Sequence, residues 1–198
     1  MDALKNLSGK SYLVFGLGRS GLSVCKALSK ADIDIIASDD DVEHLSALPK
    51  GAIGVAVEDI DWDKAYDALV LSPGIAHILP EPHPVAVKAM EKGIPILSDI
   101  DLLCQGSEKA KRVIITGTNG KSTTTALIGH ILSAHFDRVD VGGNIGTPVF
   151  DFRKNADVQV IEASSYQLER CPNLSCDVAV WLNITPDHLD RHGDLQGY

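Results

Sequence analysis

The chain has 198 residues, 44% hydrophobic and 23% charged, an ordinary globular balance that excludes general disorder and accommodates one large domain or two small ones. Its formal charge of −9, from 18 basic and 27 acidic residues, excludes a broad surface for nucleic acid or anionic membrane, since such partners are held by clustered Lys and Arg. Any anionic ligand must therefore be gripped locally.

Short β-branched runs separated by helical stretches predict βαβ units and a mostly parallel sheet. Strands are predicted at 11–15, 33–37, 52–57, 68–72 and 94–97. A helix is predicted at 21–30, where Leu22, Cys25 and Leu28 can share one buried face. The polar stretch 105–112, Gln-Gly-Ser-Glu-Lys-Ala-Lys-Arg, breaks the apolar pattern and reads as a linker. The expected domains are thus 1–106 and 107–198. The second opens with a strand at 113–116 and a helix at 121–135, in which Leu127 with Ile131 and Ile128 with Leu132 form i,i+4 pairs. Two buried-looking strands follow at 158–162 and 178–184, and no closing element follows them, so this domain is expected to be truncated.

The four cysteines, Cys25, Cys104, Cys171 and Cys176, show no paired metal-site spacing and read as ordinary thiols. The opening Met-Asp-Ala-Leu-Lys lacks a signal peptide's apolar stretch, and no apolar run nears the roughly 18 residues of a membrane-spanning helix. A cytoplasmic location without membrane insertion is expected.

The strongest chemical signal is Thr116-Gly117-Thr118-Asn119-Gly120-Lys121-Ser122-Thr123. A strand, a Gly-containing turn and a helix opening at Lys121 gather backbone N–H groups at a helix N-terminus, where they bind phosphate. Lys121 adds a positive charge for the β and γ phosphates, and the Ser122 hydroxyl is placed to ligate Mg²⁺. The common pattern G-x-x-x-x-G-K-[ST] is not met, because Ile115 stands at its first glycine. Glu162 and His188 follow predicted strands and could hold a second cation, although either alone also reads as a surface group. Gly142 to Pro148 reads alone as a Gly-rich turn in which Asn144 could adopt left-handed geometry.

In the first half, Gly16-Leu17-Gly18-Arg19-Ser20-Gly21 follows a strand and opens a helix, with Asp39 eighteen residues beyond Gly21. That context suits a dinucleotide such as NAD, but the same turn serves any diphosphate-linked nucleotide, UDP included. Ser72-Pro73-Gly74-Ile75 reads alone as a turn. His44, His77, His83, His130, His135 and His192 read as surface or helix-end residues, and Trp62 and Trp181 as packing groups.

The loop at 116–123 resembles the ATP-binding loop shared by Mur ligases and folylpolyglutamate synthases. Glu162-Ala163-Ser164-Ser165-Tyr166-Gln167-Leu168-Glu169, the stretch from Leu182 to His192, and Gly142 to Pro148 resemble further Mur ligase signatures. With Gly16 to Gly21, Ser72 to Ile75 and Ser98-Asp99-Ile100-Asp101-Leu102-Leu103, the resemblance spans essentially the whole chain. It implies a Rossmann-like α/β domain followed by part of a phosphate-loop ATPase α/β domain.

As the resemblance implies, Gly117, Thr118, Asn119, Gly120, Lys121, Ser122 and Thr123 bind ATP, and Ser122, Glu162 and His188 bind Mg²⁺. Gly18, Arg19, Ser20, Asp39, Ser72, Gly74 and Asn144 contact the UDP-sugar, with Arg19 and Ser20 near the diphosphate and Asp39 near the uracil. Asp40 and Asp41 receive no role. Lys121 and His188 are the catalytic candidates. The pattern fits the D-glutamate-adding branch, whose substrates are UDP-N-acetylmuramoyl-L-alanine, ATP and D-glutamate. The L-alanine-adding branch, an NAD-dependent oxidoreductase and a non-catalytic nucleotide-binding regulator are the alternatives. The resemblance also implies a carbamylated lysine and a D-glutamate-binding domain beyond Tyr198, so these residues alone are expected to be monomeric and to bind the UDP-sugar without ligating.

Overall fold

A computed structural model describes residues 4–31, 33–106 and 109–198. Met1 to Ala3, in the opening stretch, and Ser107 and Glu108, inside the expected linker, lie outside the described residues.

The first half contributes β1 (Ser11–Phe15), α1 (Arg19–Leu28), β2 (Asp34–Ser38), β3 (Ala52–Gly54), β4 (Ala68–Leu71), α2 (Pro84–Glu91), β5 (Ile96–Leu97) and α3 (Asp99–Gln105). Its strands form a parallel sheet in the order β3-β2-β1-β4-β5. The pleat sends Tyr12 and Val14 of β1 to one face, against Val24, Cys25 and Leu28 of α1. Leu13 and Phe15 pack on the other face against Val85, Ala86 and Ala89 of α2. Burial on both faces is why β1 and β4 read as unbroken apolar runs.

The second half contributes β6 (Lys111–Thr116), α4 (Lys121–Leu132), β7 (Val139–Gly143), β8 (Val158–Glu162), α5 (Ser165–Leu168), β9 (Val178–Trp181) and α6 (Leu189–His192). Its sheet is also parallel, in the order β7-β8-β6-β9. The α/β class expected from the alternating pattern is the fold observed. In each sheet the chain reverses direction of growth beside its first strand, β1 or β6, which opens a crevice at the carboxyl ends.

Several expectations need correction. The strand predicted at 52–57 stops at Gly54 and gives way to a 3₁₀ turn at Val57–Asp59. The helix predicted at 21–30 runs instead from Arg19 to Leu28, and that at 121–135 ends at Leu132. The strand predicted at 178–184 stops at Trp181 because Leu182 to Thr185 turn to bond the phosphate loop. Among the described residues β9 has a partner on one side only, and Val178 and Trp181 are exposed. Leu127 and Ile131 likewise face outward, while Ile128 and Leu132 pack on the sheet. Strand β7 was not anticipated. No helix among the described residues is long and apolar enough to cross a membrane.

Candidate functional site

Thr116 ends β6, and the chain turns through Gly117 to Gly120 before α4 opens at Lys121. Gly120 caps the helix with φ of +89°, a left-handed conformation that a side chain would strain. Asn183 braces the turn: its carbonyl accepts from Thr118 N–H (3.1 Å), its Oδ1 accepts from Asn119 N–H (3.0 Å), and its Nδ2 donates to Asn119 O (2.9 Å). The Thr118 hydroxyl donates to Thr185 O at 3.1 Å and accepts from Thr185 N–H at 3.0 Å. With those amides committed, the first-turn N–H groups of α4 remain for an anion. Lys121 lies across the turn and donates to Gly117 O (2.7 Å) and Thr118 O (2.9 Å). The hydroxyl-bearing residues Ser122 and Thr123 are exposed at the helix start.

Beside this loop, Glu162 ends β8, in register with Ile115 of β6 and Gly143 of β7. Its side chain is 1% exposed. Oε1 accepts from Asn144 Nδ2 at 2.9 Å, whereas Oε2 is buried with no hydrogen-bond partner. Burying a carboxylate with one oxygen unpaired is costly, and a hard cation is the partner that suits it. The residues present therefore fit Mg²⁺. Among the described residues no three His, Cys, Asp or Glu side chains gather as a self-sufficient metal centre.

His188 caps α6 at φ of +50°. Its ring lies 4.9 Å from that of Tyr166, on α5, and its Nε2 is 3.7 Å from Asp187 Oδ2. These contacts set it beside α5, the helix that follows the Glu162 strand. The left-handed geometry read for Asn144 is instead taken by Gly143 and Gly146. At Gly143 a Cβ would also run into the Glu162 carbonyl.

In the first half, Gly18 caps α1 and Arg19 opens it. The Arg19 guanidinium donates to Gly146 O, so the first Gly-rich turn touches the Asn144 loop of the second half. Ser20 neighbours Asp99, which is 3% exposed. Burial pushes the Asp99 carboxyl up, against hydrogen bonds from Gln167, the Ile100 amide and Ser20. Ser72 donates to Gly16 O at 2.7 Å, and Gly74 is exposed. Asp39 accepts from Leu17 N–H and from Asp41 N–H (2.9 Å) and pairs with His44 Nδ1 at 3.1 Å. Burial alone would raise its pKa; these donors outweigh burial and hold it below the ordinary carboxylate value.

A second cluster escaped the sequence reading. Glu169 Oε1 accepts from Arg191 Nε (3.1 Å) and Nη2 (2.5 Å) and lies 3.4 Å from His77 Nδ1, while Oε2 is 3.7 Å from His192 Nδ1. His77 and His192 are thus mostly buried members of an ionic cluster and not surface residues. Fully buried Arg170 lies beside it. The cysteines behave as ordinary thiols, with burial pushing Cys25 and Cys171 up to about 12.

Residues 10–98 match the N-terminal domain described as Mur ligase MurD-like, and residues 115–198 match the Mur ligase middle domain. A Rhodospirillum rubrum protein named UDP-N-acetylmuramoylalanine–D-glutamate ligase is 46% identical over 98% of this chain and 42% of its own length. A protein of the same name from Rhodopseudomonas palustris is 41% identical over 100% of this chain and 44% of its own length. The chain thus spans less than half the length of these curated relatives. The solved UDP-N-acetylmuramate–alanine ligase from Thermotoga maritima aligns over 96% of this chain and 45% of its own, with a TM-score of 0.55 at 24% identity, a likeness of fold. The chain belongs to the Mur ligase family and carries sequence of its N-terminal and middle domains.

Proposed function

We propose that the protein adds D-glutamate to UDP-N-acetylmuramoyl-L-alanine at the expense of ATP, and that these residues bind the UDP-sugar and the ATP phosphates. One observation carries the reading: the Lys121 loop and the unpaired Glu162 carboxylate oxygen stand at the carboxyl ends of adjacent parallel strands. That pairing suits transfer of a phosphoryl group between two anions, where alignment and charge neutralisation supply the catalysis. The relatives named for D-glutamate addition support the choice of substrates.

In this reading the γ-phosphoryl group passes to the L-alanine carboxylate, and the D-glutamate amine attacks the resulting acyl phosphate. The N–H groups of Gly120 to Thr123 hold the phosphates, with Gly117, Thr118 and Asn119 shaping the turn. Lys121 leaves its loop carbonyls to meet the transferred group. Ser122, Glu162 and His188 would hold Mg²⁺, which when bound neutralises charge on the reacting oxygens. Asn144 orients the Glu162 carboxylate. Gly18, Arg19, Ser20, Asp39, Ser72 and Gly74 surround the diphosphate and uracil. In a dinucleotide site the acid at Asp39 serves a ribose hydroxyl; the names of the relatives, which act on a UDP-sugar, support UDP over NAD.

We also infer domains at 1–106 and 107–198, a cytoplasmic monomer, and no ligation by the 198 residues alone. D-glutamate-dependent phosphate release from the full-length protein, supplied with ATP and UDP-N-acetylmuramoyl-L-alanine, tests the reaction. Release that ignores D-glutamate in this mixture but requires L-alanine when UDP-N-acetylmuramate replaces the substrate would move the protein to the sibling branch. Calorimetry with the UDP-sugar, UDP and NAD tests the first half, and preferential NAD binding would sink the reading.

A further inference from the structure

The turn that follows β4 belongs to the first half, yet the second half holds it. Arg170 sits just past α5 and is 1% exposed. Its Nη1 donates to Leu71 O (3.1 Å) and Ser72 O (3.3 Å), and its Nη2 donates to Pro73 O (3.3 Å). Its Nε donates to Tyr166 O at 3.1 Å, and its own carbonyl accepts from Ser98 N–H at 3.0 Å. Two residues further along the turn, Arg191 donates to Ile75 O at 3.3 Å. Consecutive carbonyls that have run off the end of the β4 ladder are thus satisfied by guanidinium groups from across the junction.

A buried guanidinium is an expensive route to stability. Among the described residues no carboxylate bonds Arg170 directly; burial disfavours its charge, which Glu169 and Asp99 support from nearby. What its planar fork secures is geometry, because several donors in fixed directions define where the carbonyls lie. The turn they define carries Ser72, whose hydroxyl closes on Gly16 O of the first Gly-rich turn. Arg170 also stands eight residues beyond Glu162, and the helix between them is tied to the first half by Gln167 Nε2 donating to Asp99 Oδ1 at 3.0 Å.

We propose that Arg170 is a positioning residue: it holds the Ser72 to Gly74 turn in the shape that receives the UDP-sugar and links that shape to the phosphate-loop half through α5. This rests on the reading of the turn as part of the UDP-sugar site. It differs from a purely structural role in singling out one ligand and one segment.

The test compares wild type, Arg170→Met and Arg170→Lys in the full-length protein. Arg170→Met raises KM for the UDP-sugar about tenfold, the loss expected for charged hydrogen bonds to the turn, while KM for ATP stays within about twofold. Hydrogen exchange at Ser72 and Ile75, whose amides are bonded to Phe15 O and Ser72 O, speeds up with α1 unchanged. Arg170→Lys, with charge but no fork, falls between, and serves alone if the Met variant does not fold. Unchanged exchange in folded variants, or equal increases in both KM values, overturns the proposal. A wild type that ignores the UDP-sugar overturns the ligand reading and the receiving role with it, even where exchange shows Arg170 holding the turn.

Discussion

The two halves present the same local device, a parallel strand running through glycines into a helix, yet equip it oppositely. At the first turn a carboxylate, Asp39, closes onto the Leu17 amide, and α1 opens with Arg19, whose charge is directed across the junction to Gly146 O. At the second turn a lysine lies over the loop, and the buried carboxylate of Glu162 stands on the neighbouring strand with one oxygen unpaired. Glycines fix where backbone amides point; the charged side chains beside them decide what else each turn can hold.

The largest effect that would break this comparison is at Lys121. Lys121→Met should lower kcat for phosphate release by about 10²- to 10³-fold, in line with loss of one preorganised charge, while UDP-sugar affinity stays unchanged. A matching loss of UDP-sugar binding would show that the two turns do not act separately. Next comes Glu162→Gln, which keeps an acceptor for Asn144 and removes the unpaired charge. Turnover should fall by about 10- to 100-fold, whereas melting without Mg²⁺ should stay level or rise. A clear drop in melting temperature would mean that the buried charge is structural.

A smaller effect is expected at Asp39. Asp39→Asn weakens charge-assisted acceptance from Leu17 N–H and should cost about 1–2 kcal/mol, read by denaturant unfolding, with weaker UDP-sugar binding. The smallest concerns pH. Arg191 and His77 hold Glu169 below its ordinary value of 4.5 although burial opposes them, and burial holds His192 below 6.5. Both pKa values are depressed by folding, so both contributions are complete above the ordinary values and are lost as pH falls through the folded ones. Melting temperature should therefore decline first below about 6.5 and again below about 4.5, and Glu169→Gln should flatten the lower step.

Much of the second half's site was legible in the sequence because its chemistry is local. Gly120, Lys121, Ser122 and Thr123 are consecutive, and a strand-to-helix turn needs only its own residues to present amides. Glu162 was legible as the end of an apolar run. That one of its oxygens is unpaired was not, because Asn144 reaches it across the β7–β8 pair. That Ser20 neighbours Asp99 was likewise not legible, because the two stand on different helices, α1 and α3. Leu127 fails for a related reason, since apolar character reveals a preference for burial but not which face of a helix meets the sheet.

By itself, the sequence determined the alternation of strands and helices, the two glycine turns and the residues that could meet phosphate. Each depends on backbone conformation and periodicity over a few neighbours. Only the tertiary structure decided which charges are spent internally, and that the first half's Ser72 turn is held by Arg170 and Arg191 from residues about a hundred positions away. A long cationic side chain looks the same in sequence whether solvated or buried. What distinguishes the two is the set of unsatisfied carbonyls it meets, and those are brought together only when both sheets have formed.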